Sequence, residues 1–423
     1  MNISVDMMSG EKEEEELINM IREDVMEDIP AGTQLSDEEL LSIIEKSIEK
    51  TGREIYLRLD VKRNLRHVIF NSLRRMDVLQ DILDDEDITE IMVNGSKKIF
   101  IEKNGAMTKT ALKFSDEERL NDIAQQIASS GNRIVNESNP ILDARLEDGS
   151  RVNIVVPPIA LEGPVITIRK FPKEAMTMDK LIEIGAITDE AKEFLEKLVI
   201  ARYNIFISGG TGAGKTTFLN ILSNFIPHDE RVITIEDSAE LQIREVENLV
   251  RLEARNANVE GKNGVSIRDL VKSALRMRPD RIIVGEIRDA AAIDLLSAMN
   301  TGHDGSLSTG HANSPADMLN RLETLVLMGL DIPLAAIRQQ IASGIDILVH
   351  LGRLRDKSRK VLEISEIGDV VDGKIKIIPL FSSVEQGEKN GKVVGELVRT
   401  KNQLQSVDKM RRAGQTESDY GVR

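Results

Sequence analysis

The chain has 423 residues, 41% hydrophobic and 30% charged, with a net charge of −15. That length and balance predict two or three soluble domains, and the acidity, with 3% aromatics and no Trp, argues against a surface built to neutralise and stack on nucleic acid. There is no Cys, which excludes disulfides, thiolate zinc sites and thiol redox chemistry, and no apolar run nears the ~20 residues of a membrane span.

The N-terminal stretch MNISVDMMSGEKEEEELINM is acidic where an export signal needs a basic start and an apolar run, so a cytoplasmic location is expected. Residues 1–78 read as an acidic helical segment. Glu13 to Glu16 suit a solvated helix face or a mobile arm. Ser36-Asp37-Glu38-Glu39 has capping-box spacing and leads a helix. A second helical stretch is expected from about Leu59 to Leu83. Residues 79–171 change period. ITEIMVNGSKKIFIEKNGAM alternates apolar and polar positions around Asn94-Gly95 and Asn104-Gly105, both hairpin signals. Ser115 to Glu118 reads as another capping box, and SRVNIVVPP and GPVITIRKF as two strands, so an α+β domain is expected. Residues 172–180 read as a linker.

From 181 to 381 short apolar strands (YNIFISGG, RVITIED, RIIVGEI) alternate with helical stretches. This predicts a doubly wound, parallel α/β domain of the RecA-like kind. Beyond Phe381 the chain turns polar, and residues 382–423 are expected to form a tail with little packed core.

GGTGAGKTT follows a strand and precedes a helix. It contains G-x-x-x-x-G-K-[ST] as Gly209, Gly214, Lys215 and Thr216, with Gly210, Thr211, Gly212 and Ala213 inside the loop and Thr217 after it. Glycines let the backbone N–H groups face phosphates at a helix N-terminus. Lys215 is expected to reach the β- and γ-phosphates of ATP, and Thr216 to ligate Mg²⁺. RPDRIIVGEIRD places Glu286 at a strand's carboxyl end, where a carboxylate can orient or deprotonate an attacking water. The plainer alternative is an acid capping the next helix. Asp280 and Asp289 suit caps or arginine pairs. ITIEDSAEL puts Glu236 and Asp237 at a similar edge, suited to holding Mg²⁺ through water or positioning the nucleophile.

In order, GGTGAGKTT, TIEDSAEL, ALRMRPDRIIVGEIRD and AMNTGHDGSLSTGHANS resemble the Walker A, Asp, Walker B and His boxes of the secretion ATPase superfamily of type II and type IV secretion and pilus assembly. The likeness runs from about Leu79 to Ile378 and is nearest to the CpaF-type ATPases of tight-adherence (Flp) pilus assembly. It implies a homo-hexameric, cytoplasmic ATPase at the inner face of the cytoplasmic membrane, driving an inner-membrane platform protein. It also implies nucleotide-reaching roles for Arg151 and Arg169, and less securely for Arg251 and Arg255. The four-cysteine zinc module of some relatives has no residues here, and no zinc is expected.

His303 and His311 are two of only five histidines, and both fall in Thr-Gly-His tripeptides. Zinc binding, a structural pair, and a His box hydrogen-bonding near the γ-phosphate are the three readings. The flexible Gly/Ser/Thr surroundings suit the third. The rival functions are a conjugation-type or retraction ATPase, a nucleic-acid motor of similar core, and a nucleotide-gated scaffold.

Overall fold

The capping box at Ser36 forms as its spacing predicts: Ser36 Oγ accepts from Glu39 N–H, and the Glu39 carboxylate accepts from Ser36 N–H. The computed structural model describes residues 11–29, 35–103, 105–131, 133–171, 176–255 and 264–415. Asn104, residues 172–175 of the expected linker, residues 416–423 and the side chains of Glu13 to Glu15 lie outside the described residues. The chain divides into two compact units, Met1–Glu174 and Ala175–Arg423.

In the first unit α1 (Glu11–Asp28), α2 (Asp37–Glu54) and α3 (Leu59–Arg74) bury Leu17, Ile21, Val25, Ile44, Leu65 and Ile69 in a core of their own. The helix expected to run to Leu83 breaks after Arg74. Asp77 takes a left-handed φ of 53°, which a right-handed helix cannot absorb, and its carboxylate accepts from Arg119 Nε. A 3₁₀ turn, Asp77–Leu79, and α4 (Gln80–Asp84) follow. Next come β1 (Ile88–Asn94), β2 (Ile99–Lys103), β3 (Ala106–Lys109), α5 (Glu117–Ser130), β4 (Ile141–Arg145), β5 (Arg151–Val155) and β6 (Val165–Arg169). The cap of α5 is Asp116 rather than Ser115: Asp116 accepts from Arg119 N–H, and Ser115 Oγ donates to Asp116 instead. Among the described residues the six strands pair in the order β3-β2-β1-β6-β5-β4, all antiparallel. Leu120, Ile123 and Ile127 of α5 close the core over Ile91, Val152 and Ile166.

The second unit comprises α6 (Met178–Glu183), α7 (Asp189–Ile200), β7 (Ile205–Gly209), α8 (Lys215–Ser223), β8 (Val232–Glu236), β9 (Leu249–Glu253), α9 (Ile267–Ala274), β10 (Arg281–Val284), α10 (Ala291–Asn300), β11 (Leu307–His311), α11 (Pro315–Leu327), α12 (Leu334–Gly344), β12 (Ile347–Arg353), β13 (Arg359–Val371), β14 (Lys374–Lys389), β15 (Lys392–Arg399) and α13 (Asp408–Arg412). Its sheet has the order β15-β14-β13-β12-β7-β11-β10-β8-β9. Ile205, Ile207 and Ile283 face one core, whereas Phe206, Ile282 and Val284 face the other. Both faces are therefore covered, which explains why these strands read as unbroken apolar runs. Strands β12 to β9 are parallel, but β13, β14 and β15 run antiparallel, so the α/β sheet is mixed rather than wholly parallel.

The expected unpacked tail is also corrected. Strand β14 runs eight residues past Phe381 to Lys389, and Leu397, Leu404 and Met410 are buried in the core that includes Tyr203 and Ile205. Apolar residues in this segment are too sparse to show as a periodic run, yet enough of them turn inward to seal a sheet edge.

Candidate functional site

Strand β7 is buried along its whole length and delivers the chain to the glycine loop at the carboxyl edge of the parallel sheet. The loop packs tightly at its start: a Cβ on Gly209 would lie 2.6 Å from Leu351 O. It ends at Gly214, whose φ of 92° caps α8 in the left-handed region that favours glycine. Ala213 N–H closes the turn onto Gly210 O at 3.3 Å, and the Ala213 side chain roots the loop in the core. The N–H groups of Lys215, Thr216 and Thr217 open the nine-residue α8, where an α-helix has no internal acceptors for them and carries its positive end. Thr216 is half-buried, and Thr211 and Thr217 are exposed.

Three site residues form a chain at this edge: Lys215 at the start of α8, His311 at the end of β11 and Glu286 just past β10. Lys215 Nζ donates to Gly210 O at 3.0 Å and lies 3.1 Å from His311 Nδ1. An ammonium can only donate, so Nδ1 is the acceptor and the neutral imidazole carries its proton on Nε2. That Nε2 lies 3.0 Å from Glu286 Oε1. The contact is close but not aligned as a hydrogen bond, and Oε1 is buried with no hydrogen-bond partner. Glu286 Oε2 accepts from Arg288 Nη2 at 2.7 Å, and Arg288 Nη1 is 3.8 Å from Asp237 Oδ2. Burial lowers the Lys215 pKa, opposed by Glu286. Burial also lowers that of His311, with Glu286 opposing and Lys215 adding to the effect.

His311 is thus the last residue of a buried strand, between β7 and β10. The expectation of a flexible histidine loop is corrected. LSTGH reads as loop because Ser and Thr dominate it, but Thr309 Oγ1 donates to Gly285 O at 2.8 Å and Ile287 N–H donates to Thr309 O at 2.9 Å. Those bonds fix the backbone of β11 to the segment bearing Glu286. His303 precedes the same strand at its other end, its carbonyl accepting from Ser306 Oγ. The two histidines do not form one box, since the length of β11 separates them.

Glu236 and Asp237 also part. Glu236 is 3% exposed and turns inward, where Oε2 accepts the N–H groups of Glu240 and Leu241 at 2.7 and 2.9 Å. Burial raises its pKa against those two bonds, and Oε1 is buried without a partner. Asp237 stays at the surface beside Arg288. The two carboxylates thus face apart, and among the described residues no group of three or more His, Asp or Glu could hold a metal ion. Asp280 accepts from Arg231 N–H and approaches Arg202, while Asp289 accepts from Ala291 N–H, the first residue of α10.

In the first unit Arg151 and Arg169 sit directly opposite one another on β5 and β6. Arg145, which the sequence reading passed over, continues the row on β4, and Glu90 on β1 bonds Arg169 Nε at 2.9 Å. Arg251 lies exposed on the edge strand β9, and Arg255 follows it in a bridge to Val265.

A family model described as "Type II/IV secretion system protein" matches residues 73–415. A putative conjugal transfer protein of Mycobacterium tuberculosis is 34% identical over 349 residues, covering 81% of this chain and 98% of that one. The conjugal transfer protein TrbB of Rhizobium radiobacter is 34% identical over 302 residues, covering 69% and 87%. Among solved structures, the VirB11 ATPase of the Brucella suis type IV secretion system, in complex with sulphate, is 30% identical and covers 68% of this chain and 92% of that one, with a TM-score of 0.38. Among the described residues, no helix is long and apolar enough to cross a membrane.

Proposed function

The chain belongs to the type II/IV secretion system protein family, and from that premise we propose that it is an ATP-hydrolysing motor for pilus assembly or macromolecular export. The observation that carries this reading is the chain Lys215–His311–Glu286 at the mouth of a glycine loop. ATP with Mg²⁺ fits the residues present: N–H groups at the start of α8 with no helical acceptor, a buried ammonium, and a carboxylate oxygen with an open acceptor site. Mg²⁺ bound with ATP would favour phosphate and water oxygens, so the Thr216 hydroxyl would suffice as the protein's direct ligand, with Glu236 and Asp237 acting through water. Bound Mg²⁺ supplies charge neutralisation on the phosphates.

The chain's own residues divide the remaining work. Lys215 exchanges His311 Nδ1 for a phosphate oxygen. Glu286, held by Arg288, takes a proton from water at its open Oε1. His311, released from Lys215, reports the exchange to the strand that carries it. Arg151 and Arg169 would add positive charge for phosphate in a hexameric ring at the cytoplasmic face of the inner membrane, working on a platform protein there.

Two finer readings follow. The likeness of ITEIMVNG, DGSRVNIVVPP and ITIRKF favours a tight-adherence pilus motor of the CpaF type. The conjugal-transfer relatives favour a conjugation-type motor. The test is Lys215→Ala in calorimetry with ATP and Mg²⁺, alongside particle mass with and without nucleotide. Binding should be abolished, because a methyl group cannot replace a compact cation. Unchanged affinity, or a fully active monomer at all concentrations, would sink the proposal. Loss of pili or of DNA transfer in a deletion strain separates the two finer readings.

A further inference from the structure

The hairpin joining β12 to β13, RLRDKSR, is basic in an acidic chain. Arg355 is anchored to Glu385 and Glu388 at 2.7 and 3.2 Å, and Lys360 Nζ donates to Gly395 O. Arg353 and Arg359 differ. They are the last cross-strand pair of the hairpin, directly opposite and both exposed. Like charges so placed destabilise a sheet, yet among the described residues neither has a carboxylate within ion-pair distance. Both reach the phosphate loop: a Cβ on Gly212 would lie 4.0 Å from Arg353 Nη1, and one on Gly214 3.7 Å from Arg359 Cδ. The hairpin is also firmly held. Leu354 N–H donates to Ser358 O, and Asp356 accepts from Ser358 N–H and from Val393 N–H of β15.

We infer that Arg353 and Arg359 are nucleotide-binding residues that grip the phosphate chain at its nucleoside end; this rests on the nucleotide reading above. Sheet order gives the end. The glycine loop leaves β7, which lies between β11 and β12. His311 and Glu286, the hydrolytic groups, lie on the β11 side. The arginines approach from the β12 side. Their contacts therefore fall on the phosphates that ATP and ADP share, away from the bond that breaks. An anion between them also relieves their mutual repulsion, and planar guanidinium groups suit bidentate phosphate contacts.

The test compares wild type with Arg353→Gln/Arg359→Gln and with Arg353→Lys/Arg359→Lys, using ADP and ATP in calorimetry and steady-state kinetics. We expect the Gln pair to weaken ADP and ATP alike by about tenfold or more, with KM rising in step and kcat falling under about threefold. The Lys pair should recover part of the affinity, since charge returns without the fork. Wild-type ADP affinity in the Gln pair overturns the assignment. So does a fall in kcat with ADP binding intact, which would place the arginines at the γ-end or toward a neighbouring subunit. A wild-type chain that binds neither nucleotide overturns the nucleotide reading itself. If the Gln pair lowers the thermal midpoint, the single variants Arg353→Gln and Arg359→Gln carry the same comparison.

Discussion

Replacing His311 by Ala removes one acceptor from a buried cation at 3.1 Å and one contact to the buried Oε1 of a half-buried carboxylate at 3.0 Å. Hydrogen bonds to charged groups are worth about 1.5–3 kcal/mol each. The Lys215 bond is given up when phosphate arrives and does not enter kcat, so the loss in turnover is that of one charge-assisted bond from the freed imidazole toward Glu286 or the reacting phosphate. At 1.36 kcal/mol per decade this predicts a fall in kcat of about 10- to 150-fold. ATP affinity should change little or tighten, because the free protein loses a contact that competes with phosphate for Lys215. His311→Asn, which offers an amide near the place of Nδ1, should recover less turnover than His311→Gln, whose longer side chain can reach toward the place of Nε2 and Glu286. His303→Ala is the control, since His303 lies at the opposite end of β11, and its kcat should stay within about twofold of wild type. The assay is calorimetric affinity with single-turnover hydrolysis for all four variants. A His311→Ala protein with kcat within about threefold of wild type refutes the reasoning, as does roughly tenfold weaker ATP binding with turnover intact.

Glu286→Gln should bind ATP normally and keep its bond from Arg288, yet lose about 10²-fold or more in turnover; near-normal hydrolysis would move the base elsewhere. His311 has a folded pKa below its ordinary 6.5, so below that pH the unfolded chain binds a proton that the folded one refuses, and stability is lost as pH falls. The stability of wild type relative to His311→Gln should therefore rise with pH up to 6.5 and stay flat above; Glu236 and Asp346, shifted upward by burial, are common to both proteins and cancel. A difference independent of pH would show that His311 does not titrate in this way. Arg281 is fully buried, with Nε and Nη2 on Glu230 at 2.6 and 2.9 Å. Arg281→Met should cost about 3–5 kcal/mol in denaturant unfolding, because it strands a buried carboxylate; a loss under about 1 kcal/mol would mean that Arg202, 3.3 Å from Glu230, compensates alone.

The glycine loop was legible in the sequence because its geometry is local. Gly214 needs a left-handed φ, Lys215 must follow it, and a strand and helix must flank both, all within a short stretch of chain. The apolar strands were legible for a related reason, since burial on both faces writes itself as Ile and Val at nearly every position. The remainder was decided by partners distant in the chain. LSTGH looks like a loop until β7 and β10 pair with it from either side. His303 and His311 look like twins until the five residues of β11, at ~3.3 Å each, place them at opposite edges of the sheet. Arg281 opens an apolar strand, and Glu230, 51 positions away, with the carbonyls of Val199 and Gly305, makes its burial tolerable. Arg353 and Arg359 carry no motif, and they meet the glycine loop only because β12 docks beside β7. Sequence spacing fixes which residues a helix or turn brings together. Which strands lie side by side is decided by the packing of the whole sheet, and with it which imidazole meets which lysine.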